Sequence, residues 1–359
     1  MRKVALLGNP DTKRTDYFRQ AAKKASLPIC FVDWNDWGKQ WGSFPETGLF
    51  LKIDPPLWKS CSLGELDSLV GDYKRKLDKL AGMADTYKIQ YFNHPLAIAG
   101  LLDKRACKKK LCQKGLPVTE SLEAEGVEEP NLLSVEMLLE RMEKCDIHQV
   151  FIKPLIGSGA AGVSAFRWQP RSGKMVLYTC SLEQEGIGLV NTKRLRRFTE
   201  PEQIVSLLNR LLNLDCIVER WYAKEEYQGY SYDLRAVVQE DNVDFLLARL
   251  SKGPITNLHL NNHPMEAGML GLPASVLDSV EEICRKAMEY FTGLRSAGID
   301  ILLERGSLKP RIIEMNAQGD LIYQDIYHRN VIYSHQVQIM KAWLSGSGKV
   351  NGELLGKKL

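Results

Sequence analysis

Apolar and polar positions along this chain follow two rhythms. Short apolar runs at Val4–Leu7, Ile29–Val32 and Leu49–Ile53 alternate with stretches whose apolar residues recur every three or four positions, Asp16–Ala25 and Leu63–Leu80. Strand, turn and helix at that spacing predict an α/β layer. After the turn Asn93-His94-Pro95 one helix is predicted through Leu101, Asp103 and Lys104 to Gln113, stopped by Gly115 and Pro117. A strand at Val150–Ile152 follows, then one through Phe166 and another at Met175–Cys180, before an amphipathic helix at Pro201–Leu212 and a strand at Cys216–Val218. Ser231–Val238 and Asp244–Leu250, joined by Glu240-Asp241-Asn242, predict a hairpin. A long helix is expected at Val276–Arg295, and a last one at Asn330–Trp343. Between them Ile299–Leu303 and Arg311–Met315 flank a polar turn with Gly306, Ser307 and Pro310, a second hairpin. Glu120–Pro130, Lys193–Arg197 and Ser251–Pro264 read as polar connections, and Ser345–Leu359 as a frayed tail.

Alternation decides which side chains meet. Glu314 and Asn316 share one strand face, Met315 takes the other, and Asp300 on the partner strand is placed to lie opposite. Two carboxylates and an amide oxygen form a hard-oxygen cluster suited to Mg²⁺ with nucleotide phosphates; the plainer reading is charged strand edges. A second informative stretch runs from Lys153 through Gly157, Ser158, Gly159 and Gly162. Small residues between two strands let backbone N–H groups approach an anion, and Lys153 adds a point charge. The stretch lacks the Gly-Lys-Ser/Thr ending of a P-loop, and Gly8-Asn9-Pro10 lacks the glycine spacing of a dinucleotide fold.

Composition narrows the class. With 359 residues, 44% hydrophobic and 26% charged, the chain suits two or three ordinary globular domains. A net charge of +4 argues for neither a nucleic-acid nor a membrane partner. No apolar run approaches the ~20 residues that span a bilayer. Eight scattered cysteines without a paired spacing read as reduced thiols of a cytoplasmic protein.

Several stretches together resemble the ATP-grasp superfamily, in particular glutathione synthetase and the ribosomal-protein glutamate ligases. Lys52-Ile53-Asp54-Pro55-Pro56 is similar to a segment of glutathione synthetase, and Asp103-Lys104 to the helix carrying the first ATP-binding lysine. Lys153-Pro154-Leu155 with Gly157 and Gly159 resembles the second lysine and phosphate loop, and Glu219-Arg220-Trp221-Tyr222 the adenine-reading hinge. Asp233-Leu234-Arg235, Leu247-Ala248-Arg249, Gly298-Ile299-Asp300-Ile301 and Glu314-Met315-Asn316 complete the series.

The resemblance implies an α+β ATP-grasp architecture in which two subdomains clasp ATP behind a Rossmann-like α/β domain. Its expected limits are 1–100 for the N-terminal domain, 101–217 for the lid, 218–345 for the C-terminal subdomain and 346–359 for a tail. It also implies roles. Asp300, Glu314 and Asn316 would hold Mg²⁺, with Mn²⁺ an alternative; Lys104, Lys153, Gly157, Ser158 and Gly159 would cradle phosphates. Arg249, Lys153 and Asn257 would steady the transferring group. Glu219, Arg220, Trp221 and Tyr222 would flank adenine, Asp233 or Glu226 would accept the ribose, and Arg235 would stand beside them. Lys52 and Arg14 are the substrate-side candidates. Departures fall at Ile156, Ala160-Ala161, Leu260-Asn261-Asn262-His263 and Ala317-Gln318-Gly319, where relatives carry other residues.

The activity implied is an ADP-forming carboxylate–amine ligase working through an acyl phosphate, with small-molecule or peptide substrates. The alternatives are an ATP-binding regulator or scaffold without ligase activity, and a small-molecule kinase using the same site. The oligomeric state stays open, a homodimer included.

Overall fold

The computed structural model describes residues 2–39, 48–58, 62–122, 132–157, 160–319 and 330–346. Its first layer holds strands β1 (Lys3–Gly8), β2 (Ile29–Asp33), β3 (Leu49–Ile53) and β4 (Ile89–Tyr91) with helices α1 (Lys13–Lys24), α2 (Leu66–Gly82), α3 (Pro95–Leu101) and α4 (Lys104–Gln113). The four strands are parallel in the order β2-β1-β3-β4. α1 starts three residues before the predicted limit because Thr12 caps it, accepting from the Thr15 backbone N–H.

The single helix expected from Pro95 to Gln113 is two. Asp103 leaves the helical conformation and caps α4 by accepting from the Ala106 N–H at 3.0 Å. A cap side chain in mid-pattern interrupts the helix without breaking its apolar period.

The lid follows, with α5 (Val135–Lys144), β5 (Gln149–Pro154), β6 (Ser164–Gln169), β7 (Lys174–Gln184), β8 (Gly188–Phe198), α6 (Pro201–Leu212) and β9 (Cys216–Arg220). Its antiparallel sheet has the order β8-β7-β6-β5-β9 and packs on α5 and α6 through Leu138, Met142, Ile204, Leu208 and Phe166. Lys193–Arg197, expected as a solvated loop, is part of edge strand β8, where Arg196 and Arg197 face Thr179 and Tyr178 across the ladder. Charges on a sheet edge hide a strand from composition-based reading while discouraging edge-to-edge association.

The third unit holds β10 (Glu226–Tyr227), β11 (Tyr230–Gln239), β12 (Asn242–Ser251), β13 (His263–Glu266), α7 (Ala274–Glu289), β14 (Ser296–Leu303), β15 (Pro310–Asn316) and α8 (Val331–Leu344). Five strands run β13-β12-β11-β14-β15, and β10 pairs with β11. α7 ends six residues before the predicted Arg295, whose side chain is buried and pairs with Glu240. Within the loop expected at Ser251–Pro264 the chain forms a 3-10 turn at Leu258–Leu260 and begins β13. α8 returns to the first layer, where Tyr333 stacks on Tyr17 and Trp343 on Phe50.

One extended strap ties the sheets together. Thr119 N–H donates to Ile312 on β15, Leu122 N–H donates to Val218 on β9, and Arg220 N–H donates to Glu120. The strap therefore fixes the lid against the third sheet at one margin of the space between them. Among the described residues no helix is long and apolar enough to cross a membrane.

Candidate active site

The lid sheet and the third sheet face each other across an open cleft. Phe151 and Val163 line it from the lid, Leu302 and Ile313 from β14 and β15. Ile313 reaches the cleft through a break in register. Asp300 pairs with Glu314 and Ile301 with Ile312, so Ile313 has no residue opposite. The bulge turns two consecutive side chains, Ile313 and Glu314, into the cleft, while Ile312 and Met315 stay buried behind them. A regular strand presents only one of two neighbours to a given face.

One charge network lies on the lid side. Glu219 of β9, 2% exposed, takes Lys108 on one carboxylate oxygen and Lys153 on the other, each at 2.9 Å, and accepts from the Thr119 hydroxyl at 2.6 Å. Burial opposes ionisation of Glu219, but the two ammonium groups outweigh it and bring its pKa down to about 2. Burial dominates at Lys108 and lowers its pKa to about 8 against the pull of Glu219. Lys104 donates to the carbonyls of Pro154, Leu155 and Gly157 at 3.0–3.3 Å, which holds the start of the glycine-rich loop. Its pKa is lowered by burial, with Glu314 resisting. Further along the loop Gly162 has φ 71° and a Cβ there would overlap Pro154, so only glycine fits. Its N–H donates to the Asn191 side chain at 3.3 Å.

A second network runs along the third sheet. Arg249 grips Asp233 with two parallel bonds of 2.7 and 2.9 Å and reaches Asp300 at 3.1 Å. Arg235 forks onto Asp300 from the other side. Lys224 donates to Thr256 at 2.7 Å and stands 3.6 Å from Asp233, to which Thr256 also donates. Burial disfavours a charged Glu314, yet Lys104 and Lys153 prevail and hold its carboxyl below the usual range.

The donor set fits a hard divalent cation. Asp300 and Glu314 are directly opposed on adjacent strands, and Asn316 donates to Glu314 Oε1 at 3.1 Å from the next position on that face. Asp300 Oδ1 accepts only from Arg235 Nε among the described bonds, and Glu314 Oε2 and Asn316 Oδ1 remain available as oxygen donors.

Most of the residues named from the sequence converge here. Lys104, Lys153, Gly157, Glu219, Arg220, Tyr222, Asp233, Arg249, Asn257, Asp300 and Glu314 all line the cleft. Ser158 and Gly159 lie outside the described residues. Trp221 packs on Phe151 and Tyr178 from outside the cleft, and its N–H donates to Gln149. Glu226 is exposed and paired with Arg305, whereas Asp233 is engaged by Arg249, Thr256 and Lys224. Arg235 is bound to Asp300 behind the cleft wall. Arg14 and Lys52 line a separate cavity, where Lys52 pairs with Asp54.

Sequence reasoning missed Lys108, Thr119 and Lys224. For Lys224 a signal existed, because Arg220, Tyr222 and Lys224 recur at every second position and all three line the cleft. Lys108 was hidden among the basic residues of α4, which read as a solvated face.

No protein-family model matches the chain, and no curated protein matches it either. Solved structures do match. The ATP-grasp ligase PsnB, complexed with a minimal precursor, superposes with a TM-score of 0.57 at 16% identity, over 95% of this chain and 99% of that one. The macrocyclase MdnC from Microcystis aeruginosa MRC, bound with the precursor peptide MdnA, gives 0.58 at 12% identity, over 95% and 99%. D-alanine–D-alanine ligase from Bacillus anthracis, complexed with ATP, gives 0.54 at 13% identity, over 96% and 98%. At such identities the likeness establishes the fold, and the fold is ATP-grasp.

Proposed function

We propose that this chain is an ATP-dependent, ADP-forming carboxylate–amine ligase of the ATP-grasp superfamily. The observation that carries the reading is the facing of two wall chemistries across one cleft. Half-buried Lys104 and buried Lys153 stand on one side, and the opposed Asp300–Glu314 pair with Arg249 stands on the other, Asn316 being hydrogen-bonded to Glu314. A triphosphate with its cation needs both, and an apolar slot of Phe151, Leu302 and Ile313 suits a purine beside them. The ATP complexes and ligase names of the matching structures support the same reading.

The residues divide the work. Phe151, Val163, Leu302 and Ile313 hold adenine, with Tyr222 of the hinge beside them. Lys153 donates to phosphate oxygens, and Lys104, whose three N–H bonds go to the Pro154, Leu155 and Gly157 carbonyls, adds its charge to the phosphates while fixing the loop that excludes water. Mg²⁺, or Mn²⁺, held by Asp300, Glu314 and Asn316 would neutralise charge on the phosphates. Arg249 and Asn257 steady the transferring phosphoryl group. A carboxylate oxygen attacks the γ-phosphorus and ADP leaves; the amine nitrogen then attacks the acyl carbon of the acyl phosphate, and phosphate departs as the amine loses a proton.

The substrates are small molecules or peptides, the latter class supported by the precursor complexes of PsnB and MdnC. The similarity of Lys52–Pro56 to glutathione synthetase supports a place near that branch, and the free thiols support a cytoplasmic setting. The test is an ADP-release screen across carboxylate and amine pairs with mass spectrometry of products. Condensation with loss of water in a pair that also releases ADP supports the ligase. Phosphorylated product without condensation supports a kinase, and ATP binding with no product supports a regulator.

A further inference from the structure

Lys108 of α4 is a buried ammonium group with no part in the chemistry given above. It follows Lys104 by four positions, so the helix carries both lysines on one face. Lys104 lines the cleft, whereas Lys108 stands behind the wall, 7% exposed, in a space bounded by Leu111, Val118 and Ile312. Its donors are committed there. One bond runs to Glu219 Oε1 at 2.9 Å, one to the Thr119 carbonyl at 2.9 Å and one to the Thr119 hydroxyl. An ammonium group has three protons, so these partners leave Lys108 none for a ligand. Burial brings its pKa down to about 8 against the pull of Glu219, and at pH 7 the charged form prevails.

The position of Glu219 gives that charge a use. Its carboxylate lines the cleft beside Lys153, which it holds at 2.9 Å. Lys153 and Glu219 alone form a neutral pair, and the carboxylate in the wall opposes an approaching polyphosphate. With Lys108 on the other oxygen, two ammonium groups stand against one carboxylate and leave one net positive charge. The three side chains are buried, so water does little to screen the balance. Thr119 of the strap fixes the arrangement, donating to Glu219 Oε2 at 2.6 Å while its hydroxyl accepts from Lys108.

We infer that Lys108 is a positioning residue for nucleotide binding: it neutralises Glu219 from behind the wall, so that the charge of Lys153 is left for the phosphates. The role rests on the ATP-binding part of the reading given above. Lys108 touches Glu219 and not the nucleotide, and this gives its contribution a definite sign. Without Lys108, Glu219 cancels Lys153; without Glu219 as well, the cancellation is lifted.

Calorimetric titration of the full chain at pH 7 with Mg²⁺ and AMPPNP, a non-hydrolysable ATP analogue, tests this without requiring turnover. Lys108→Met removes the charge at similar length and should weaken binding about 10- to 100-fold, the effect of one charge in a weakly screened site. Lys108→Gln, which can still donate to Thr119, should weaken it too. Glu219→Gln should bind at least as tightly as wild type, and Lys108→Met combined with Glu219→Gln should return to within about threefold of it. An unfolding transition recorded for each variant reports that it is folded. Wild-type affinity in the folded Lys108 variants, or a double variant as weak as Lys108→Met, overturns the inference, because lost packing would weaken every variant alike. If neither Lys108 variant folds, Glu219→Gln decides, and binding weaker than wild type overturns the inference. Wild-type protein that does not bind the analogue ends the ATP-binding reading and this inference together. The expected pattern in a protein that never yields a condensed product ends the ligase reading and leaves the role of Lys108 standing.

Discussion

Glu219 is the residue on which the lid side of the cleft depends. It is the shared anion of two buried ammonium groups, so Glu219→Gln leaves both without a counter-charge and is expected to cost about 3–5 kcal/mol in denaturant unfolding. The pH dependence has a definite sign. With its folded pKa near 2, below the ordinary 4.5, Glu219 contributes stability that is complete above pH 4.5 and is lost as pH falls towards 2. The stability difference between wild type and Glu219→Gln should therefore shrink as pH falls across that acid window. On the opposite wall, Glu314→Gln removes an oxygen anion from the proposed cation site while keeping its shape. It should abolish Mg²⁺-dependent ADP release with the unfolding transition preserved. A fully active variant would end the assignment of Glu314 as a cation ligand.

At the scale of elements, local devices set where the functional side chains point. Asp103 caps α4 and so fixes the first turn that carries Lys104; Asp103→Ala should cost about 1 kcal/mol and loosen ATP binding. The β15 bulge supplies Ile313, and Ile313→Ala should forfeit about 2 kcal/mol of apolar contact, roughly 30-fold in ATP affinity by nucleotide titration. These two elements also show what could be read from residues alone. The hairpin, the shared face of Glu314 and Asn316, and the placing of Asp300 opposite follow from a period of two, and the structure pairs them so. The bulge does not follow, because register depends on the partner strand. Likewise the basic run of α4 has no pattern that separates buried Lys108 from its solvated neighbours. Burial of Lys108 is decided by Glu219, over a hundred residues downstream in another sheet. Strand β8 was obscured because its charges sit on a sheet edge, where polar composition and strand geometry coexist.

Across the whole molecule, the lid and the third sheet are joined at one margin by the strap and meet again where Leu195 of β8 packs against Gly253. A ligand gripping both walls should tie them together. The non-hydrolysable analogue AMPPNP with Mg²⁺ at 100 times its Kd is expected to add about 2.7 kcal/mol of stability. Chelation of the cation should remove most of that gain, and a stabilisation indifferent to Mg²⁺ would separate nucleotide binding from the Asp300–Glu314–Asn316 cluster. The central claim is that this cleft activates a carboxylate by phosphorylation, and hydroxylamine tests it most directly because it intercepts acyl phosphates as stable hydroxamates. With MgATP and a substrate carboxylate found in the ADP-release screen, the account predicts hydroxamate in proportion to ADP, and none from Glu314→Gln. Carboxylate-dependent ADP release without hydroxamate would contradict it.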